Sequence, residues 1–284
     1  MKSLDESTHP ILGFIGGCHV AGYLVEDAGS FVDHLKDLFR SSEVIKVPYA
    51  TISKIDKHIN PTRKLRSKYV FVQLGNFEFS ASWRQIIATT VGGTPELPSF
   101  ISKYSKYSSR KQKTGSAAQA SSAATAQRPS VGSKVAEVSA SPLLSTSAFS
   151  LLDVTKAVVG SVLYFTTWVV LRKHRQQFNL MNQVVRQNPE TTFVCISPLP
   201  VVAWPHNLLR RLGSFIFRQR LDASPNLQWL DSHRVLPREH ALLADGIHLN
   251  EEGHRILAEH LYALCQPAQS QTRHHEALEM AENN

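Results

Sequence analysis

Cysteine is scarce in this 284-residue chain, which has three: Cys18, Cys195 and Cys265. An odd count that small excludes a disulfide framework and leaves at least one free thiol, which fits a reducing, cytoplasmic setting. Residues 1–10 carry Asp5 and Glu6 and no apolar core, so no secretory signal is expected. The uncharged stretch 158–171 contains Gly160, Ser161, Thr166 and Thr167 and falls short of the roughly 18 residues a spanning helix needs. With Arg172-Lys173-His174-Arg175 after it, the stretch is expected to be a buried core helix with a basic last turn, not a membrane span. No Gly-x-Gly-x-x-Gly follows the first apolar run, which argues against a dinucleotide-dependent dehydrogenase.

Acidic residues are nearly missing from one segment. Between residues 102 and 150 there are seven basic residues and one acid, so +6 of the formal +8 charge sits there. The remainder is close to neutral, and a nucleic-acid groove is not expected. Residues 103–150 are also dominated by Ser, Ala, Lys, Gln and Thr. A segment with so little apolar area cannot offset its ordering entropy, so it is expected to be a disordered insertion. It divides a folded domain into 1–102 and 151–266, with a polar tail at 267–284.

Apolar runs at 11–15, 43–47, 69–74, 192–197 and 227–231 predict five strands. Helical stripes lie between them: Phe31, Leu35 and Leu38 after a Ser30 cap, and Ile52, Ile55 and Ile59 before Asn60-Pro61. One long helix is expected over 151–187. A final helix begins after Asn250, with Ile256, Leu257, Leu261 and Leu264 on one face. Strands alternating with helices predict a parallel sheet covered on both sides. Ligands of such sheets bind beyond the carboxyl ends of the strands. Cys18 follows the first strand and Asn76 the third, so both are expected at that rim.

Two short motifs carry chemistry. Gly16-Gly17-Cys18 ends the first strand, where a tight turn is expected to leave the thiol at a helix N-terminus. Asp245-Gly246-Ile247-His248 precedes the last helix. A thiol, an imidazole to take its proton and a carboxylate to hold the imidazole are the parts acyl transfer requires. A metal site is not expected, because His254 and Glu252 lie on the helix and no second ligand cluster has suitable spacing. Cys195 and Cys265 are expected to be packing residues.

These blocks resemble those of the SGNH, or GDSL-like, hydrolases. The strand leading into Gly16-Gly17-Cys18 is similar to the family's Gly-Asp-Ser block, with cysteine in place of serine. Asp245-Gly246-Ile247-His248 matches its Asp-x-x-His block, and the strand ending in Ser197-Pro198-Leu199-Pro200 is similar to its fourth strand. The resemblance implies a three-layer, flavodoxin-like α/β fold and hydrolysis or transfer of an acyl group, with no metal or organic cofactor. It assigns Cys18, His248 and Asp245 to a triad, and Gly17, Gly75 and Asn76 to the oxyanion and substrate region. The substrate implied is a small-molecule or carbohydrate acyl ester. The sequence also departs from the pattern. Val47-Pro48-Tyr49-Ala50-Thr51 lacks the glycine of the second block, and Gly75-Asn76-Phe77-Glu78 puts Phe77 where the third block has asparagine. These departures keep two other readings open: a silent binding module and a carbohydrate O-acyltransferase.

Overall fold

The structure is a computed structural model that describes residues 10–22, 25, 29–41, 43–64, 67–80, 82–91, 150–237, 240–243 and 246–266. The chain divides into two units, Met1–Pro95 with Ser150–Asn284, and Glu96–Phe149. The second unit and the tail 267–284 lie outside the described residues, and so does Asp245.

Five parallel strands form one sheet: β1 (Leu12–Gly16), β2 (Val44–Val47), β3 (Tyr69–Gln73), β4 (Thr192–Ile196) and β5 (Leu227–Leu230). Their order, β2-β1-β3-β4-β5, is the flavodoxin-like order, whose switch point falls between β1 and β3. Alternation along the strands separates two cores. Leu12, Phe14, Phe71, Val194 and Ile196 face one side, where α1 (Phe31–Leu38) and the last helix, α8 (Glu251–Cys265), cover them. Ile15, Val70, Val72, Phe193 and Cys195 face the other. That side is covered by α2 (Ile55–Lys64), α3 (Trp83–Val91), α4 (Leu151–Tyr164), α5 (Arg175–Gln187) and α6 (Trp204–Arg220). A single turn, α7 (Ser232–Val235), follows β5. The fold is a three-layer α/β sandwich.

Local signals set the helix starts. The Ser30 side chain accepts the Asp33 N–H at 3.3 Å, and the Asn250 side chain accepts that of Gly253 at 2.8 Å. Gly253 also allows close packing, because a Cβ there would sit 2.2 Å from the Ala241 carbonyl oxygen. That contact pins the start of α8 against the loop that carries His248.

Three expectations need correction. The helix after Ile52–Lys54 does not stop at Asn60-Pro61 but runs to Lys64. Pro61 forfeits one backbone donor there without ending the helix. The expected helix over 151–187 is two helices bent by 60°. Phe165–Val170 widens into a π-helical turn, and Arg172 and His174 take left-handed φ values of 53° and 59° before α5 begins. The uncharged stretch 158–171 is also not buried throughout. Ala157, Gly160 and Tyr164 pack inward, whereas Val158, Val162 and Phe165 face outward.

Candidate active site

The rim beyond the carboxyl ends of β1, β3 and β4 gathers the residues that can do chemistry. Cys18 lies in the turn that follows β1, buried, and not at a helix N-terminus as expected, since α1 begins only at Phe31. The residue after it, His19, turns back onto the sulfur, with Nδ1 3.5 Å from Cys18 Sγ. His248 is largely buried in the loop before α8, and its ring centroid is 5.4 Å from that of His19. The Leu243 N–H donates to the His248 carbonyl at 2.8 Å, and an antiparallel bridge joins Leu242 to Leu249, so this loop is held at both ends. The His254 ring of α8 lies 6.0 Å from that of His19. The Phe31 N–H donates to His254 Nδ1 at 3.1 Å, which ties the cluster to α1.

Neighbouring polar groups hold the His19 ring in place. Asn76 Oδ1 accepts the Leu199 N–H at 2.8 Å, so the Asn76 amide nitrogen is the end that faces His19, 3.4 Å from Nδ1. Nε2 accepts the Leu249 N–H at 3.4 Å, and the ring also bonds to the Ile247 backbone. Burial, reinforced by the neighbouring His254, His248 and Arg210, holds the His19 imidazole well below its ordinary pKa. Burial likewise pushes His254 down to about 3. His19 is a neutral ring set against the thiol.

Arg210 of α6 completes the surroundings. It is buried, and its Nη1 donates to the Leu199 carbonyl at 2.7 Å while Nε has no partner. Among the described residues it forms no ion pair. Burial lowers its pKa to about 10, and a negative Cys18 sulfur acts in the opposite direction. The guanidinium and a Cys18 thiolate thus stabilise one another. Sequence reasoning missed Arg210 because nothing in α6 marks one arginine among several as facing inward. His19 was in plain view beside Cys18, but no sequence feature says which way its ring turns.

The three positions assigned to the oxyanion region behave differently. The Gly17 N–H donates to Gln73 Oε1 at 3.3 Å. Gly75 has φ of 95°, and a Cβ there would lie 2.7 Å from Pro198 Cγ, so it shapes the turn after β3. Asn76, buried in that turn, reaches the Cys18–His19 pair with its side chain, while the Phe77 ring lies over Gly17. Among the described residues, no three His, Cys, Asp or Glu side chains are placed to hold a metal ion. A cavity of about 420 Å³, lined by Lys68, Val70, Asn188, Glu190 and Phe193, lies at the opposite, amino-terminal end of β3 and β4. It is remote from this chemistry.

Glu78, in the same turn, joins the second and third blocks. Its Oε1 accepts the Ile52 N–H at 2.7 Å, and its buried Oε2 has no partner. Burial pushes this carboxyl above the usual carboxylate range. The fold therefore favours the protonated acid. That contribution is complete below the ordinary pKa and is lost as pH rises through the raised one. Glu78→Gln, which keeps the acceptor and removes the charge, is expected to melt a few degrees above wild type at pH 7. The gap should close near pH 4, as thermal denaturation followed by circular dichroism at the two pH values would show.

No family model matches the chain, and no curated protein matches it either. Among solved structures, it is similar to the Clostridium thermocellum family 3 carbohydrate esterase, at 14% identity over 89% of this chain and 93% of that one, with a TM-score of 0.45. It is also similar to a lipase/acylhydrolase from Enterococcus faecalis, at 12% identity over the same shares and a TM-score of 0.43.

Proposed function

We propose that the chain is an SGNH-type hydrolase of acyl esters or thioesters that uses Cys18 as its nucleophile. One observation carries this reading: His19 Nδ1 lies 3.5 Å from the Cys18 sulfur and the His19 ring 5.4 Å from that of His248, at the carboxyl rim of the sheet. Residues 230 positions apart in sequence, from the first and last blocks, thus share one buried corner.

In the proposed reaction His248 takes the Cys18 proton as the sulfur bonds to the acyl carbon. The Cys18 N–H and the Asn76 amide nitrogen receive the developing oxyanion, which requires Asn76 to leave His19 Nδ1 as substrate enters. The carbon–oxygen bond then breaks, and the imidazolium returns its proton to the departing alcohol. Water, deprotonated by His248, hydrolyses the thioester and restores the thiol. Asp245 orients His248 throughout. Arg210 favours the thiolate electrostatically. The substrate we propose is a small-molecule or carbohydrate acyl ester, processed in a reducing compartment that keeps the thiol free.

The alternative, a silent binding module, draws on the near-complete burial of Cys18, which is 5% exposed. Cys18→Ser separates the two. An enzyme should keep measurable hydrolysis of short acyl esters or acetylated sugars when the usual family hydroxyl replaces the thiol. A chain with no turnover as either Cys or Ser on these substrates is the silent module.

A further inference from the structure

Helix α4 is apolar on its outer side as well as its inner one. Val158 is 54% exposed, Val162 60% and Phe165 46%, and Leu151 and Leu152 extend the same arc toward the helix start. These positions recur at the three- and four-residue spacing of one helix face. Beyond the Asp153–Lys156 pair in its first turns α4 carries no charge, and a helix segment apolar on both sides normally lies inside a protein or against lipid. Its inward side is already occupied, for Ala157, Gly160 and Tyr164 pack against α3 and α6. Among the described residues, none covers the outward side.

Charge identifies what covers it. No acid occurs between Asp153 and Glu190, and none lies in α6. Helix α6 packs beside α4 in the same layer, and its outer stripe is Trp204, Leu208, Arg211, Phe215 and Arg218. Arg172 and Arg175 add exposed cations beyond the Phe165–Val170 turn, where α5 begins. None of Arg172, Arg175, Arg211 and Arg218 pairs with an acid among the described residues. Aliphatic side chains along the back of one helix, aromatics beside them and arginines without an acid partner among the described residues match an anionic lipid surface: apolar groups enter the acyl boundary and cations stay at the headgroups. Among the described residues no single helix is long and apolar enough to cross a membrane.

We propose that the outer face of α4 and α6 docks the protein, without spanning, on the surface of an anionic bilayer. This surface does not depend on the chemistry assigned to Cys18. The test is flotation of the full chain with phosphatidylcholine vesicles, with and without phosphatidylserine. Wild type should float with the phosphatidylserine vesicles and be released as salt rises. The triple variant Val158→Ser, Val162→Ser, Phe165→Ser should partition about tenfold or more weakly, and Arg211→Gln with Arg218→Gln should weaken binding to the anionic vesicles alone. All these positions are exposed, so unchanged circular dichroism is expected and confirms folding. Absence of flotation, or equal flotation of wild type and the triple variant, overturns the proposal. So does a wild-type dimer in light scattering that the triple variant converts to monomer, because a second copy then covers the face.

Discussion

Replacing Cys18 with alanine is expected to lower turnover of short acyl esters by about four to six decades, the range seen when a triad nucleophile is removed. Alanine cannot form the covalent intermediate, and what remains is the assistance of the oxyanion donors. The substitution deletes one sulfur from a buried turn, so the folded state should survive, which circular dichroism checks. Initial rates of wild type and variant on p-nitrophenyl acetate measure the effect. Undiminished turnover removes Cys18 from the mechanism.

The second large effect concerns which imidazole is the base. His19 lies on the sulfur, but its surroundings resist protonation: burial, His254, His248 and Arg210 all disfavour the imidazolium. A general base must carry that positive charge in the transition state. We therefore expect His248→Ala to lower kcat by about three to four decades with little change in KM. His19→Phe, which preserves the ring but removes both nitrogens, should act through position and cost about ten- to a hundredfold, since it frees the thiol from Nδ1 and the loop from its Ile247 contact. The kcat and KM values of both variants, across pH 5 to 8, decide the matter. A larger loss in His19→Phe than in His248→Ala gives the base role to His19.

The fold was readable because its signals are local and repetitive. Short β-branched and aromatic runs ending at Gly16, Gly75 and Pro198 mark strands whether or not their neighbours are known. Ser30 and Asn250 cap helices through bonds made within a few residues. The rim position of Cys18 and Asn76 followed from strand ends alone. Features set by tertiary contact were hidden. The bend between α4 and α5 rests on left-handed residues at Arg172 and His174, neither of which is a glycine. The uncharged stretch 158–171 does not announce which side will face inward, so the exposed back of α4 read as core. Arg210 and Glu78 became visible as unusual only once burial was known, because their sequence neighbours are ordinary. Asp245, the third member assigned to the triad, lies outside the described residues.

Cys265 is more accessible than Cys18, and the two thiols provide their own control. The most direct test treats the native protein with an activated acyl ester and maps the thioester adduct by peptide mass spectrometry. The account predicts acylation at Cys18 in preference to Cys265, where burial pushes the thiol up to about 12, and loss of that adduct in His248→Ala. Modification that follows exposure, with Cys265 labelled and Cys18 untouched, would contradict it.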